Sequence, residues 1–111
     1  MEIQKLKEYV KTAEDIADML YANDVSEAQR IIGETVKDVN NIYLGYINRA
    51  DELKGREIEV PVDILLSQMQ NLMTAIDSKD IIMLADTMLY EIKEAILFFI
   101  DIENELGGTQ G

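Results

Sequence analysis

The chain contains no cysteine and no histidine among its 111 residues. The absence of cysteine excludes disulfides, thiolate metal sites and cysteine nucleophiles. The absence of histidine removes the most common general base and the most common transition-metal ligand. The few serine and threonine hydroxyls therefore have no histidine to activate them, and we predict neither a catalytic site nor a bound cofactor.

Positive charge is also scarce. The chain carries 10 lysine and arginine residues against 22 acidic residues, which gives a net charge of −12. A field of this sign repels nucleic acid phosphates and anionic membranes and attracts basic partners. We expect no nucleic acid, membrane or small-molecule partner. The acidity is typical of a bacterial cytoplasmic protein kept soluble by charge, and mimicry of DNA is the alternative.

Long apolar runs are missing as well. Residues 1–8 lack the apolar segment of a signal peptide. The longest apolar run, residues 95–100, is far shorter than the ~20 residues that a membrane-spanning helix needs. These features predict a cytoplasmic protein.

Apolar residues recur at alternating steps of three and four along most of the chain, which indicates helices. We predict an all-α fold, a four-helix bundle made of two αα-hairpins within a single domain, residues 1–106. Hairpin one covers residues 2–54, and hairpin two covers residues 61–106. The linker at 55–60 precedes Pro61, the only proline, and residues 107–111 are predicted to be a disordered tail.

The second helix is predicted to run from Val25 to Leu53, with Gly33 and Gly45 inside it. Each helical glycine costs about 1 kcal/mol relative to alanine, so either could permit close contact or a bend. The third helix is predicted to bury one apolar face. The fourth helix is predicted to bury an apolar stripe of its own, which runs along the helix without interruption. These two predicted stripes are Val62, Leu65, Leu66, Met69, Leu72, Met73 and Ile76, then Ile81, Ala85, Met88, Ile92, Ala95, Phe99, Ile102 and Leu106.

Neither glycine nor proline separates the third and fourth helices, so one long rod is an alternative. The step of five from Ile76 to Ile81 breaks the helical phase and favours a tight turn. We expect residues 77–78 to cap the fourth helix. At the second helix, Asp24 and Glu27 have the spacing of a capping box.

The two halves match in phase when the chain is shifted by 56 positions. Ala17 then falls on Met73, Leu20 on Ile76 and Asp24 on Asp80. This internal echo predicts either a duplicated hairpin with approximate two-fold symmetry or two unrelated hairpins of matching architecture.

A second apolar stripe lies opposite the main stripe of the fourth helix. Because an apolar second face indicates a bundle centre or an interface, we interpret it as a surface for self-association, as a homodimer, or for a protein partner. The alternative is that Ile58 and Val60 of the linker fold over it. The candidate residues, of which the first three are spaced by seven, are Met83, Tyr90, Leu97, Phe98 and Asp86.

Carboxylate pairs on helix faces suggest a metal site as an alternative function. Glu91 and Glu94 share a face, as do Glu14 and Asp18. Di-iron bundles require histidine, and helical magnesium pyrophosphatases need a second acidic pair on a following helix. We therefore interpret these pairs as solvated acidic faces, and a divalent-metal-dependent hydrolase is the alternative. Glu103 falls inside the core stripe, near the end of the helix.

The last helix and the turn before it contain Lys79-Asp80, Leu84-Ala85-Asp86 and Tyr90-Glu91. With these residues, the segment 79–92 resembles uncharacterised helical proteins of clostridia-type bacteria, some of which are linked to motility. The resemblance covers only the second hairpin and implies no known activity. In size, acidity and helicity the chain is also similar to flagellar export chaperones, without a diagnostic motif.

Overall fold

The computed structural model describes residues 1–108, and the described chain is all-α, without strands, as predicted. The elements in chain order are α1 Ile3–Tyr21, α2 Val25–Asn48, α3 Ala50–Lys54, α4 Val62–Ser78, α5 Ile81–Thr87, a π-helical segment Met88–Ile92, and α6 Lys93–Gly108. The last three form one uninterrupted helix. Within residues 1–108, no helix is both long and apolar enough to span a membrane.

Helix α1 lies at the centre of the packing. It contacts α2 on one side and α5, the π segment and α6 on the other. Alternating steps of three and four place its apolar residues on one line, and that line is buried. The buried side chains of α1 are Leu6, Ala13, Ile16, Ala17 and Leu20.

The turn between α1 and α2 depends on Asn23, which adopts the left-handed conformation with φ 63°. Asparagine tolerates this conformation better than most residues. The predicted capping box is wrong, because the Asp24 side chain makes no bond to the start of α2. Glu27 instead binds Arg30, its neighbour one turn later, so the carboxylate does not reach back to the cap.

A second tight turn separates α4 from α5, which confirms the break and rules out the single rod. Lys79 is left-handed with φ 61°. The predicted cap at residues 77–78 is wrong by two positions, because both residues belong to α4 and the Ser78 hydroxyl donates to the Ala75 carbonyl at 2.9 Å. Asp80 caps α5, its carboxylate accepting from the Met83 N–H at 3.0 Å.

The second helix is shorter than predicted. Helix α2 ends at Asn48, and after a break at Arg49 the chain forms the five-residue helix α3. The linker then returns over the core, where the Ile58 N–H donates to the Leu53 carbonyl at 2.9 Å. Val60 is buried, so the linker belongs to the core rather than only joining the two halves.

The buried face of α4 differs from the predicted one. Leu65 and Leu72 are each only 2% exposed, whereas Leu66 and Met73, predicted to be in the core, are 46% and 43% exposed. Helix α4 contacts α5 and, over a short stretch, α2. Because these neighbours cover only a narrow side of α4, two of the seven residues of its predicted stripe face outward. Ala17, which the offset of 56 positions pairs with Met73, is by contrast fully buried.

The last helix is not a regular α-helix, yet the stripe predicted for it is buried. The members exposed by 6% or less are Ala85, Met88, Ile92, Ala95, Phe99 and Ile102, and Ile81 and Leu106 are partly buried against the core. The π segment forms hydrogen bonds one residue longer than an α-helix, which shifts the helical phase by about 100°. Beyond it, Ile96 and Ile100, which do not belong to the predicted stripe, are buried as well. Helix α6 continues through Gly108, beyond the predicted start of the tail, and residues 109–111 lie outside the described residues.

Candidate interaction surfaces

Part of the predicted second stripe lines one open groove. Met83, Asp86 and Tyr90 lie along this groove of about 570 Å³, facing Asn71 of α4. Tyr90 is 67% exposed, more than any other large apolar or aromatic side chain among the described residues. Two features of the last helix position this surface. The Asp80 cap orients the first turn of α5, and the π segment carries Tyr90.

The structure does not bring all five predicted surface residues together. Because the π segment adds about 100° of rotation, the spacing of seven no longer places Leu97 in line with Met83 and Tyr90. Leu97 is partly exposed, and it lines neither this groove nor the groove beside Phe98. Phe98 is half-buried and shares a different groove with Ile58 of the linker, so the linker covers only this end of the stripe.

Tyr21 of α1 joins the first part of the surface, although nothing in the sequence connects it to the last helix. Its hydroxyl donates to the Asp86 carboxylate at 2.5 Å. This hydrogen bond, with local desolvation and the negative charge of Asp86, raises the pKa of Tyr21 to about 12. Tyr21 is 45% exposed. We call Asp86 and the four exposed side chains around it the Tyr90 patch, and its residues are Tyr21, Ile82, Met83, Asp86 and Tyr90.

Glu103 is the polar residue inside the predicted core stripe, and it has a structural role. Its carboxylate accepts from the Tyr46 hydroxyl at 2.5 Å and lies 3.6 Å from Arg49 and 3.2 Å from the Met1 amine. Burial and this hydrogen bond raise the pKa of Tyr46 above its usual range. Three donors therefore surround a carboxylate whose side chain is only 13% exposed, and together they satisfy its oxygens.

A cleft of about 350 Å³ lies beside this cluster. Tyr9 and Ile42 contribute apolar walls, and Gly45 and Arg49 of the α2 end complete it. The Tyr9 hydroxyl donates to Asp38 at 2.9 Å, which fixes one polar edge. A Cβ atom at Gly45 would have no neighbour within 4 Å, so close packing does not require this glycine.

A further groove runs between α2 and α4, and sequence analysis did not identify it. Its lining is almost entirely apolar, since Gln29 is the single polar residue, and its volume is about 320 Å³. We call it the α2–α4 groove. The six apolar or glycine positions that line it are Ile32, Gly33, Val36, Met73, Ile76 and Leu84.

The acidic pairs considered as metal ligands do not converge. Glu91 accepts from the Asn71 amide at 3.0 Å, and Glu14 pairs with Lys93 at 3.1 Å. Within residues 1–108, no group of three or more acidic side chains is placed so that it could hold a metal ion. Glu91 and Glu14 therefore make contacts between helices.

The chain belongs to a family defined as a domain of unknown function, DUF8042, whose model matches residues 2–98. The match covers α1 to α5, the π segment and the first part of α6. No curated protein and no solved structure matches the chain. The family assignment therefore supports an uncharacterised helical family without indicating a reaction.

Proposed function

We propose that this member of a family of unknown function is a non-enzymatic helical module, adaptor or chaperone-like, that binds another protein through the Tyr90 patch. The observation that carries the proposal is the exposure of four large side chains around one carboxylate. Tyr90, Ile82 and Met83 are 67%, 56% and 38% exposed, and Tyr21 is 45% exposed. Exposed apolar side chains that cluster in this way mark interaction sites more often than scattered ones do.

The chemistry of the Tyr90 patch suits a protein partner. Tyrosine buries a large apolar ring while its hydroxyl keeps a hydrogen bond, which is why tyrosine is enriched at interfaces. Asp86 is already bonded to Tyr21, so a partner would meet a patch whose central charge is partly satisfied. Methionine at position 83 adds a flexible side chain that can adapt to the partner.

A second copy of the chain is one possible partner, which would make the protein a homodimer. Two copies would each bring a net charge of −12, and this repulsion has to be exceeded by apolar burial. A basic protein partner avoids that cost.

The proposal also covers the fold, the cellular compartment and the bacterial group. We propose a four-helix bundle of two hairpins, in a cytoplasmic protein of clostridia-type bacteria that binds neither nucleic acid nor membranes. The two tight turns support the internal echo, because the left-handed residues Asn23 and Lys79 are separated by the same offset of 56 and each is followed by aspartate. The unequal burial of Ala17 and Met73 opposes it.

Site-specific photo-crosslinking tests the Tyr90 patch. A benzoylphenylalanine at position 90 keeps an aromatic ring there, and the same residue at the exposed Lys7 on α1 provides the control. After irradiation in the native host, we expect a discrete protein adduct from position 90 and none from position 7. An adduct with another protein, or with a second copy, supports the proposal.

Absence of adducts at position 90, or equal adducts at both positions, would refute it. The solution mass by light scattering, for wild type and for Tyr90→Glu, separates a homodimer from a complex with another protein. Melting in the presence of Mg²⁺ or Mn²⁺ tests the alternative hydrolase, which requires a metal-dependent rise in the melting temperature.

A further inference from the structure

The α2–α4 groove continues beyond its central cavity. A second cavity of about 240 Å³ shares Gln29, Ile76 and Leu84 with the first and extends the apolar surface to Val25 and Ile81. One residue of each charge, Lys79 and Asp80, also lines this second cavity. On α2 the combined groove runs from Val25 to Val36, which is about 16 Å at ~1.5 Å per residue. That length equals about three turns of an α-helix.

The groove is open because α2 and α4 hardly approach each other. Helix α1 packs against the last helix along much of its length, whereas α4 touches α2 only over a short stretch. Gly33 widens the gap, and a Cβ atom placed there would meet nothing within 4 Å. Packing within the chain therefore does not explain a glycine at a helical position where alanine would be about 1 kcal/mol more favourable.

Helix α4 carries an apolar line that the rest of the chain covers only in part, and Met73 and Ile76 of this line also line the groove. Val62, Leu66, Met69, Met73 and Ile76 follow one another on α4 at steps of four and three. Leu66 and Met73 are 46% and 43% exposed. A line of this spacing, with unbranched methionines that adapt their shape, matches the apolar face of an incoming helix.

The net charge selects among possible helices. A second copy would bring another 12 negative charges to the surface, whereas a cationic helix would be attracted to it. We propose that the α2–α4 groove receives about three turns of a cationic amphipathic helix from a partner protein. This inference rests on the proposed function as a binding module, and it assigns a second surface, separate from the Tyr90 patch.

A designed peptide tests the inference on the full chain. The probe is a fluorescein-labelled peptide of about 14 leucines and lysines with leucine at helical spacing, and a scrambled peptide of the same composition is the control. By fluorescence anisotropy, we expect wild type to bind the amphipathic peptide at least about tenfold more tightly than the scrambled one.

Two variants locate the binding site. Gly33→Leu fills the groove, and Gly45→Leu adds the same side chain elsewhere on α2, where a Cβ atom also has open space. We expect Gly33→Leu to weaken peptide binding by about tenfold or more, and Gly45→Leu to leave it unchanged. Met73→Glu, at a position already 43% exposed, should reproduce the loss without introducing a bulky side chain.

The inference is overturned if the amphipathic peptide does not bind, or if the scrambled peptide binds equally well. It is also overturned if Gly33→Leu and Met73→Glu both bind the peptide as wild type does while their circular dichroism shows that they are folded. It is also overturned if wild type is a dimer that Met73→Glu converts to a monomer, because a second copy then occupies the groove. Crosslinking at position 90 reports separately on the proposed function, since the Tyr90 patch shares none of the groove residues.

Discussion

Replacing Gly33 by alanine should stabilise the protein. Gly33 lies inside α2 on an exposed face, and the added methyl group would meet no atom within 4 Å. The substitution therefore gains helix propensity and restricts the unfolded chain without a steric cost. The expected gain in the free energy of unfolding is about 1 kcal/mol.

This gain can be converted into a melting temperature. At about 2.1 cal/mol/K per residue, the entropy of unfolding of 111 residues is about 0.23 kcal/mol/K. A gain of about 1 kcal/mol then raises the midpoint by about 4 °C. Thermal and urea unfolding followed by circular dichroism measure both quantities, and an unchanged urea slope would show that only stability has changed.

Gly55→Ala provides the contrast. A Cβ atom at Gly55 would lie 3.3 Å from the backbone carbonyl of Glu52, so the neighbouring chain has to yield. We expect little or no gain from this substitution. If Gly33→Ala lowers the midpoint, or if both alanine substitutions behave alike, the assignment of open space above Gly33 is wrong.

Two further predictions concern polar contacts. Glu103→Ala should destabilise the fold by about 1–3 kcal/mol, because the Tyr46 hydroxyl loses its acceptor, and Glu103→Gln should cost less in the same urea titration. Because the pKa of Tyr21 is raised to about 12 in the folded state, its contribution to stability is complete below pH 10 and is lost between pH 10 and 12. In Asp86→Asn, the tyrosine absorbance at 295 nm should titrate at lower pH, and an unchanged titration would contradict this explanation.

The helices and turns were the predictable part of the fold, because they depend on local patterns. The break before Ile81 follows from the step of five between Ile76 and Ile81, and α2 begins at the predicted Val25. The caps were less predictable. Asp24 and Asp80 both follow a left-handed residue, yet only Asp80 bonds to its helix. Asp80 has the extended backbone that is typical of a helix cap, with ψ 104°, whereas Asp24 has ψ 70°.

The candidate surfaces could be predicted only in part, because periodicity shows which residues share a face and not which neighbours cover that face. Leu66 and Leu72 both fit the stripe of α4, but only Leu72 has a helix against it. The π segment has no periodic signature, so the separation of Leu97 from Tyr90 could not be anticipated. The Tyr21–Asp86 contact joins residues 65 positions apart, beyond any local pattern.

The hydrogen bond between Tyr46 and Glu103 makes the helix packing more stable at one end of the molecule than at the other. It connects residues 57 positions apart, joining the last turns of α2 to α6, and Arg49 reinforces it. The turns at Asn23 and Lys79 lie at other ends of these helices, beside the cavity that extends the gap between α2 and α4. Partial opening of the native protein should therefore begin near Val25 and Ile81. Backbone amides around Glu103, although close to the chain terminus, should exchange with deuterium as slowly as those of the interior.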